Sequence, residues 1–181
     1  MDITLTISGG ILMGCVIALS WFAGSDAPYV PTKLEAIRKI LKIAGVKKGK
    51  KFYELGSGDG RVAIAAAKLG ADSFGIEQSW LRVIYSKYKT WRLNLKKTHF
   101  YHGNIFSKHY IDADIIYIFL LHKGVTKLEE KLRRELKKGS IVITQTYHFH
   151  NWKPFKKIDL SKEMDFTKDI KGAGNFWLYR R

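Results

Sequence analysis

The stretch that most restricts how this chain can fold is residues 51–70, KFYELGSGDGRVAIAAAKLG. A short apolar run ends on an acid, glycines follow at 56, 58 and 60, and a helix-like stretch comes next. Strand, turn and helix are the natural reading, because a turn without side chains lets the backbone approach a ligand closely. A dinucleotide fingerprint would need glycine at Arg61, and a P-loop would need Gly-Lys-Ser/Thr at its end, so both fail. Charge points the same way. Glu54 and Asp59 flank the turn, where carboxylates repel a pyrophosphate and attract a cationic or hydroxyl-rich ligand.

From this turn onward apolar strands alternate with amphipathic helices. Strands are expected at 51–55, 72–77, 98–103, 114–121 and 140–147, and helices at about 60–69, 79–93 and 125–137. A helix at about 32–45 precedes them, opened by a Thr32–Glu35 capping box after the stiff connector APYVPT. In the 79–93 helix Leu81, Ile84, Tyr85 and Tyr88 are expected to face inward; the charges of 127–138 read as a solvated helix face. The run 115–121 suits a strand buried on both faces, and the segments PFKKIDL and NFWLYRR suit an antiparallel edge. The fold expected is α/β: a doubly wound, mostly parallel, seven-stranded-type sheet. Glu77 closes the second strand, where an acid accepts hydrogen bonds from ribose hydroxyls. Together the acidic bend and Glu77 fit S-adenosylmethionine, which carries an ammonium, a sulfonium and a ribose but no phosphate.

The leader is different in kind. Residues 3–24 carry no charge, and as a helix would span roughly 33 Å, enough for a bilayer core. No basic residue precedes them, so a retained single-span anchor over 1–26 is the favoured reading, ahead of a cleaved leader or a buried core helix. Residues 27–181 then form the domain. Lys33, Arg38, Lys39, Lys42, Lys47 and Lys48 place that domain on the cytoplasmic or mitochondrial-matrix side. All 32 basic residues, against 14 of the 16 acids, lie in 33–181, which favours anionic partners. The single cysteine, Cys15, falls in the leader, so the body has no thiol nucleophile or cysteine-based metal site.

The turn, with Glu77 and the βα rhythm, resembles the E/D-x-G-x-G-x-G first motif of class I methyltransferases. That resemblance implies S-adenosylmethionine as cofactor. It implies Glu54 facing the methionine ammonium; Gly56, Ser57, Gly58 and Asp59 beneath the methionine and ribose; and Glu77, with Gln78, at the ribose. Asn104 and Ile105 would stand near the adenine, Asn104 replacing the more usual aspartate. A wider likeness runs over about 28–181: PYVPT, ELGSGDGR, FLL at 119–121, KLEEKLRRELKKGSIVITQTY and WKP resemble a small protein-lysine methyltransferase family. It includes mitochondrial enzymes acting on the adenine nucleotide translocase and the ATP synthase c-ring protein, and archaeal enzymes of broad specificity. The likeness implies Tyr29, Val30, Pro31 and Thr32 as a lid over the methionine end, and Phe119 and Leu120 along the transfer channel. Tyr29, Thr32, Phe119 and Leu120 are thus the candidates for the catalytic centre. Thr32 has the plain reading of a helix cap, and Phe119 and Leu120 that of ordinary core.

Cytosine C5 methylation needs a cysteine, and base amino methylation usually uses an Asp/Asn-Pro-Pro-Tyr/Phe loop where this chain has FLLHKG. The expected substrate is therefore a protein with an accessible lysine, membrane-associated if the leader is an anchor. RNA methylation, lipid N-methylation and a cofactor-binding scaffold without turnover stay open. His148 and His150, after the fifth strand, are candidates for proton removal, and loop histidines on a solvated rim are the plainer reading. No metal is expected at His99 and His102.

Overall fold

The structure is a computed structural model and describes residues 3–22, 32–164, 166 and 171–181. Its elements are α1 (Ile3–Phe22), α2 (Leu34–Ile43), β1 (Lys51–Leu55), α3 (Arg61–Lys68), β2 (Asp72–Glu77) and α4 (Trp80–Arg92), then β3 (Thr98–His102), β4 (Ile115–Ile118), α5 (His122–Glu135), β5 (Ile141–Gln145), β6 (Lys156–Asp159) and β7 (Asn175–Arg180). The strands form one seven-stranded sheet in the order β3-β2-β1-β4-β5-β7-β6. β1 to β5 pair in parallel, and β7 inserts antiparallel between β5 and β6. The sheet is the mixed, doubly wound one expected. Chain order reverses between β1 and β4, and at such a switch point the strand ends open a crevice.

Alternation along the strands divides the core in two. Ile115 and Tyr117 of β4, with Phe52 of β1, meet Ala36, Ile37, Ile40 and Leu41 of α2 and Val62, Ala65 and Ala66 of α3. Ile116 and Ile118, with Leu55 and Val142, meet Val125, Leu128 and Leu132 of α5. Each buried Val, Leu, Ile or Phe among them contributes about 1.5–3 kcal/mol.

The expected membrane span is overturned. No helix among the described residues is long and apolar enough to cross a membrane. The single-pass placement with the domain on the cytoplasmic or matrix side falls with it.

Three local expectations are also corrected. Lys33, not Thr32, is the N-cap of α2, and no side chain caps it. Glu129 is buried, accepting from the backbone N–H groups of His150 at 2.8 Å and Asn151 at 2.7 Å, instead of lying on a wet face. α4 is turned around: Arg82, Val83, Ser86 and Thr90 face the sheet, whereas Ile84, Tyr85 and Tyr88 are exposed. The cause lies beneath it. Phe100 fills the space under Gly60 and Gly75, and Ser86 is the α4 side chain that meets it at Gly60.

Candidate functional site

The glycine bend leaves β1 at the switch point and runs directly into α3. Gly56 and Ser57 donate backbone N–H bonds to the carbonyl of Ile76, tying the bend to the end of β2. All three of its glycines have positive φ, of 79°, 53° and 74°. A Cβ on Gly56 would lie 3.0 Å from Leu120 Cδ2, so the room between the bend and the end of β4 exists because position 56 has no side chain. Ser57 Oγ is buried with no hydrogen-bond partner among the described residues.

Three carboxylates converge here, each in a different role. Glu77 is buried, and its Oε2 accepts the Gly58 N–H at 2.8 Å while Oε1 accepts the Ser79 N–H at 2.9 Å. Arg82 Nη1 stands 3.8 Å from Oε1. Glu77 therefore braces the bend from the neighbouring strand and still has unfilled lone pairs. Glu54 accepts the Ala63 N–H at 2.8 Å in the first turn of α3. Burial pushes its carboxyl well above the ordinary range; that hydrogen bond pulls it down in part, and Asp59 and Glu77 push it up again. Asp59 goes the other way. Burial raises it, but the hydrogen bonds and charge of Arg61, joined by Lys89, hold it below its ordinary value. Its oxygens are 2.9 and 3.1 Å from Arg61 Nε and Nη2 and 3.2 Å from Lys89 Nζ, so Asp59 is neutralised inside the protein.

The buried Glu54 charge makes a pH prediction. A carboxyl whose folded pKa is raised binds more protons folded than unfolded, so stability falls as pH climbs from the ordinary carboxylate range toward the folded value. Thermal midpoints of the ligand-free protein, recorded from that range to neutrality, should decline in the wild type. They should decline less in Glu54→Gln, which keeps an acceptor for Ala63 without the charge. At neutrality the variant should be the more stable protein and the weaker ligand binder.

Phe119 and Leu120 follow β4 directly at its carboxyl end, both partly buried, and Leu120 reaches the bend. Gln78 is exposed beside Glu77, its carbonyl accepting from His102 Nε2 at 2.9 Å. Asn104 is exposed too, but its Oδ1 already accepts the Phe106 N–H at 2.9 Å, closing a local turn. The Ile105 carbonyl accepts from Tyr110 Oη at 2.7 Å. Tyr29, Val30 and Pro31 lie outside the described residues. Of the histidines, His148 Nδ1 stands 2.8 Å from the Phe149 carbonyl, His150 is exposed, and His99 lies 3.4 Å from Asp72, company that the sequence did not show.

Gln145, at the end of β5, escaped the sequence reading. Its Oε1 accepts from Thr32 Oγ1 at 2.8 Å and from Tyr117 Oη, and its Nε2 donates to the Ala173 carbonyl at 2.7 Å. One buried amide thus ties the start of α2, β4 and the approach to β7 together; Arg61 Nη1 holds the Thr32 carbonyl as well, at 3.1 Å. Thr146 follows at φ 69°, with the Tyr147 N–H bonding the Gln145 carbonyl at 2.8 Å across it. Such a γ-turn on a β-branched residue is strained, a condition that clusters at functional sites. An amide in a strand gives no sequence signal for a partner 113 residues away. Gln145→Ala leaves two buried hydroxyls and a carbonyl without it, so a loss of about 2–4 kcal/mol in denaturant unfolding is expected.

A bend with glycine at three of its five positions, flanked by carboxylates and carrying a buried hydroxyl without a partner among the described residues, suits a ligand bearing positive charge and hydroxyl groups. The profile of the ANTKMT methyltransferase domain matches residues 54–156, more than half of the chain. The chain belongs to that family. The matched span runs from Glu54 past Glu77, Leu120 and Gln145, so it holds the described site apart from Thr32 and Ala173. Among relatives, the human lysine N-methyltransferase of the ATP synthase c-ring protein is 33% identical over 128 residues, covering 70% of this chain and 54% of that protein. A protein-lysine N-methyltransferase of Saccharolobus islandicus is 33% identical over 135 residues, covering 70% of this chain and 81% of that one. The chain thus spans about half the length of the human relative it matches. Among solved structures, an RNA methyltransferase from Salinibacter ruber in complex with S-adenosyl-L-homocysteine superposes with a TM-score of 0.74 at 25% identity, covering 83% of this chain and 93% of that one. The resemblance drawn from PYVPT, ELGSGDGR and FLL therefore holds at the level of family.

Proposed function

We propose that this chain transfers a methyl group from S-adenosylmethionine to lysine amines of a protein. The observation that carries the reading is the pairing, inside the family-matched span, of the glycine-rich bend after β1 with Glu77 at the end of β2. Relatives named as lysine N-methyltransferases support the acceptor. The residues present fit the cofactor. Glu54 would face its ammonium, Glu77 with Gln78 its ribose, and Ser57 Oγ offers a hydroxyl with no partner among the described residues. Gly56 and Gly58 would lie beneath it, and Asn104 and Ile105 beside the adenine. Asp59 would act by holding Arg61 at the Thr32 segment, not by touching the ligand.

When bound, the cofactor supplies an electrophilic methyl group on a sulfonium. The protein's part is to deliver a neutral amine in line with it. A free lysine, at about 10.4, is protonated near neutrality, and apolar walls favour the neutral form. Phe119 and Leu120 supply such walls, and the proton leaves to solvent before the amine attacks. Positioning alone can lower the barrier by several kcal/mol, and no dedicated base is required. Thr32, held by Gln145 and Arg61, would fix the segment carrying Tyr29 and Val30 as the lid. Residues 27–181 are proposed as the methyltransferase domain. Its substrate is proposed to be a protein with an accessible lysine, membrane-associated proteins included.

RNA methylation is the second reading, favoured by the formal charge of +16 and by the Salinibacter ruber structure. One experiment separates the two. The purified chain is incubated with methyl-labelled cofactor and a cell extract, and the labelled band is analysed by mass spectrometry. Methyl-lysine in protein is the expected result; label confined to ribonuclease-sensitive material would replace the first reading with the second.

A further inference from the structure

α4 presents its apolar side to solvent. Trp80, Ile84, Tyr88 and Trp91 are 54, 55, 52 and 76% exposed, while the sheet-facing side carries Arg82, Val83, Ser86 and Thr90. At 3.6 residues per turn the four exposed side chains fall within an arc of about 80°. An ordinary surface helix has its polar side there. Basic groups border the stripe: Lys87 and Arg92 are exposed, Lys96 and Lys97 follow, and α4 contains no acid. The Arg92 guanidinium lies 5.9 Å from the Tyr88 ring centre, and the Tyr88 and Trp91 rings are 6.0 Å apart. α1 touches α4 and also exposes apolar side chains, Ile3, Ile7, Ile11, Leu12 and Met13.

We propose that this face of α4 seats on an anionic lipid surface, the helix lying in the plane of the interface. Tryptophan and tyrosine rings settle at headgroup depth, a short aliphatic side chain between them reaches the acyl boundary, and flanking Lys and Arg meet lipid phosphates. Charge selects this occupant over a second copy of the chain, since self-pairing of an acid-free helix would oppose Lys87 and Arg92 to their own kind. Nucleic acid is disfavoured by shape and composition. Bases stack in grooves on separate aromatic platforms, whereas this stripe is convex, includes Ile84 and lies on a helix that touches an uncharged one. The surface is adsorbed, not crossed, and binding weakens with salt.

The test is co-sedimentation of the full chain with phosphatidylcholine vesicles, with and without phosphatidylglycerol. The wild type should bind the anionic vesicles preferentially, and Trp80→Ala/Trp91→Ala should lower the apparent affinity at least about ten-fold with an unchanged circular dichroism spectrum. Because α1 also offers apolar surface, a second measurement isolates α4. A polarity-sensitive fluorophore on Tyr88→Cys, in a Cys15→Ser background, should shift to the blue on anionic vesicles, and the same label on Lys138→Cys should not. An absence of vesicle binding, equal binding by the double variant, or an unshifted label at 88 overturns the proposal. So does a double variant that loses RNA retention or a dimer while its vesicle binding is intact.

Discussion

Glu77→Ala should abolish measurable cofactor binding, an affinity loss of at least about 100-fold, and should also destabilise the fold by about 3 kcal/mol. The second effect follows from its two backbone bonds. Removing the carboxylate leaves the Gly58 and Ser79 N–H groups without their acceptor and takes the nearest anion from the buried Arg82. Glu77→Gln separates the two effects. It keeps one strong acceptor and most of the stability, but presents an N–H where ribose hydroxyls need a second acceptor, so binding should still fall by about ten-fold or more. Titration calorimetry and thermal unfolding on both variants check this. If Glu77→Ala binds like the wild type, Glu77 braces the bend without taking part in the pocket.

Gly60→Ala should be severely damaging, at about 3–5 kcal/mol, a large share of a domain's total stability. Gly60 caps α3 at φ 74°, and an added Cβ would lie 2.4 Å from Phe100 Cζ and 2.8 Å from Ser86 Oγ. The strain of a side chain at that φ accounts for about 1 kcal/mol, and overpacking against the Phe100 ring for the rest. Phe100→Leu removes the colliding ring atoms, so the Gly60→Ala/Phe100→Leu pair should lose less than the sum of its parts in urea unfolding. Strict additivity would show that the ring is not the obstacle.

These residues mark how far the sequence could be read. Strand and helix order was legible because period-2 and period-3.6 patterns are local, and the bend and Glu77 were legible because glycine and an acid at a strand end have few other uses there. The ion pairs of Asp59 with Arg61 and Lys89 were not legible, because nothing local says that these two side chains will meet it. Thr32 carried a genuine capping pattern, yet the bond to Gln145, a long-range contact, prevailed. α4 was read backwards because hydrophobic side chains normally face a core; the space beneath it was already taken by Phe100. The leader's length and lack of charge were legible, whereas no helix among the described residues is long and apolar enough to cross a membrane.

Titration of S-adenosylmethionine, ATP and NAD into the same protein tests the central claim most directly. A saturable heat with S-adenosylmethionine alone, lost in Glu77→Ala, is the result predicted by an acidic bend that cups a phosphate-free cation. No heat with S-adenosylmethionine, or displacement of it by ATP or NAD, would contradict the account.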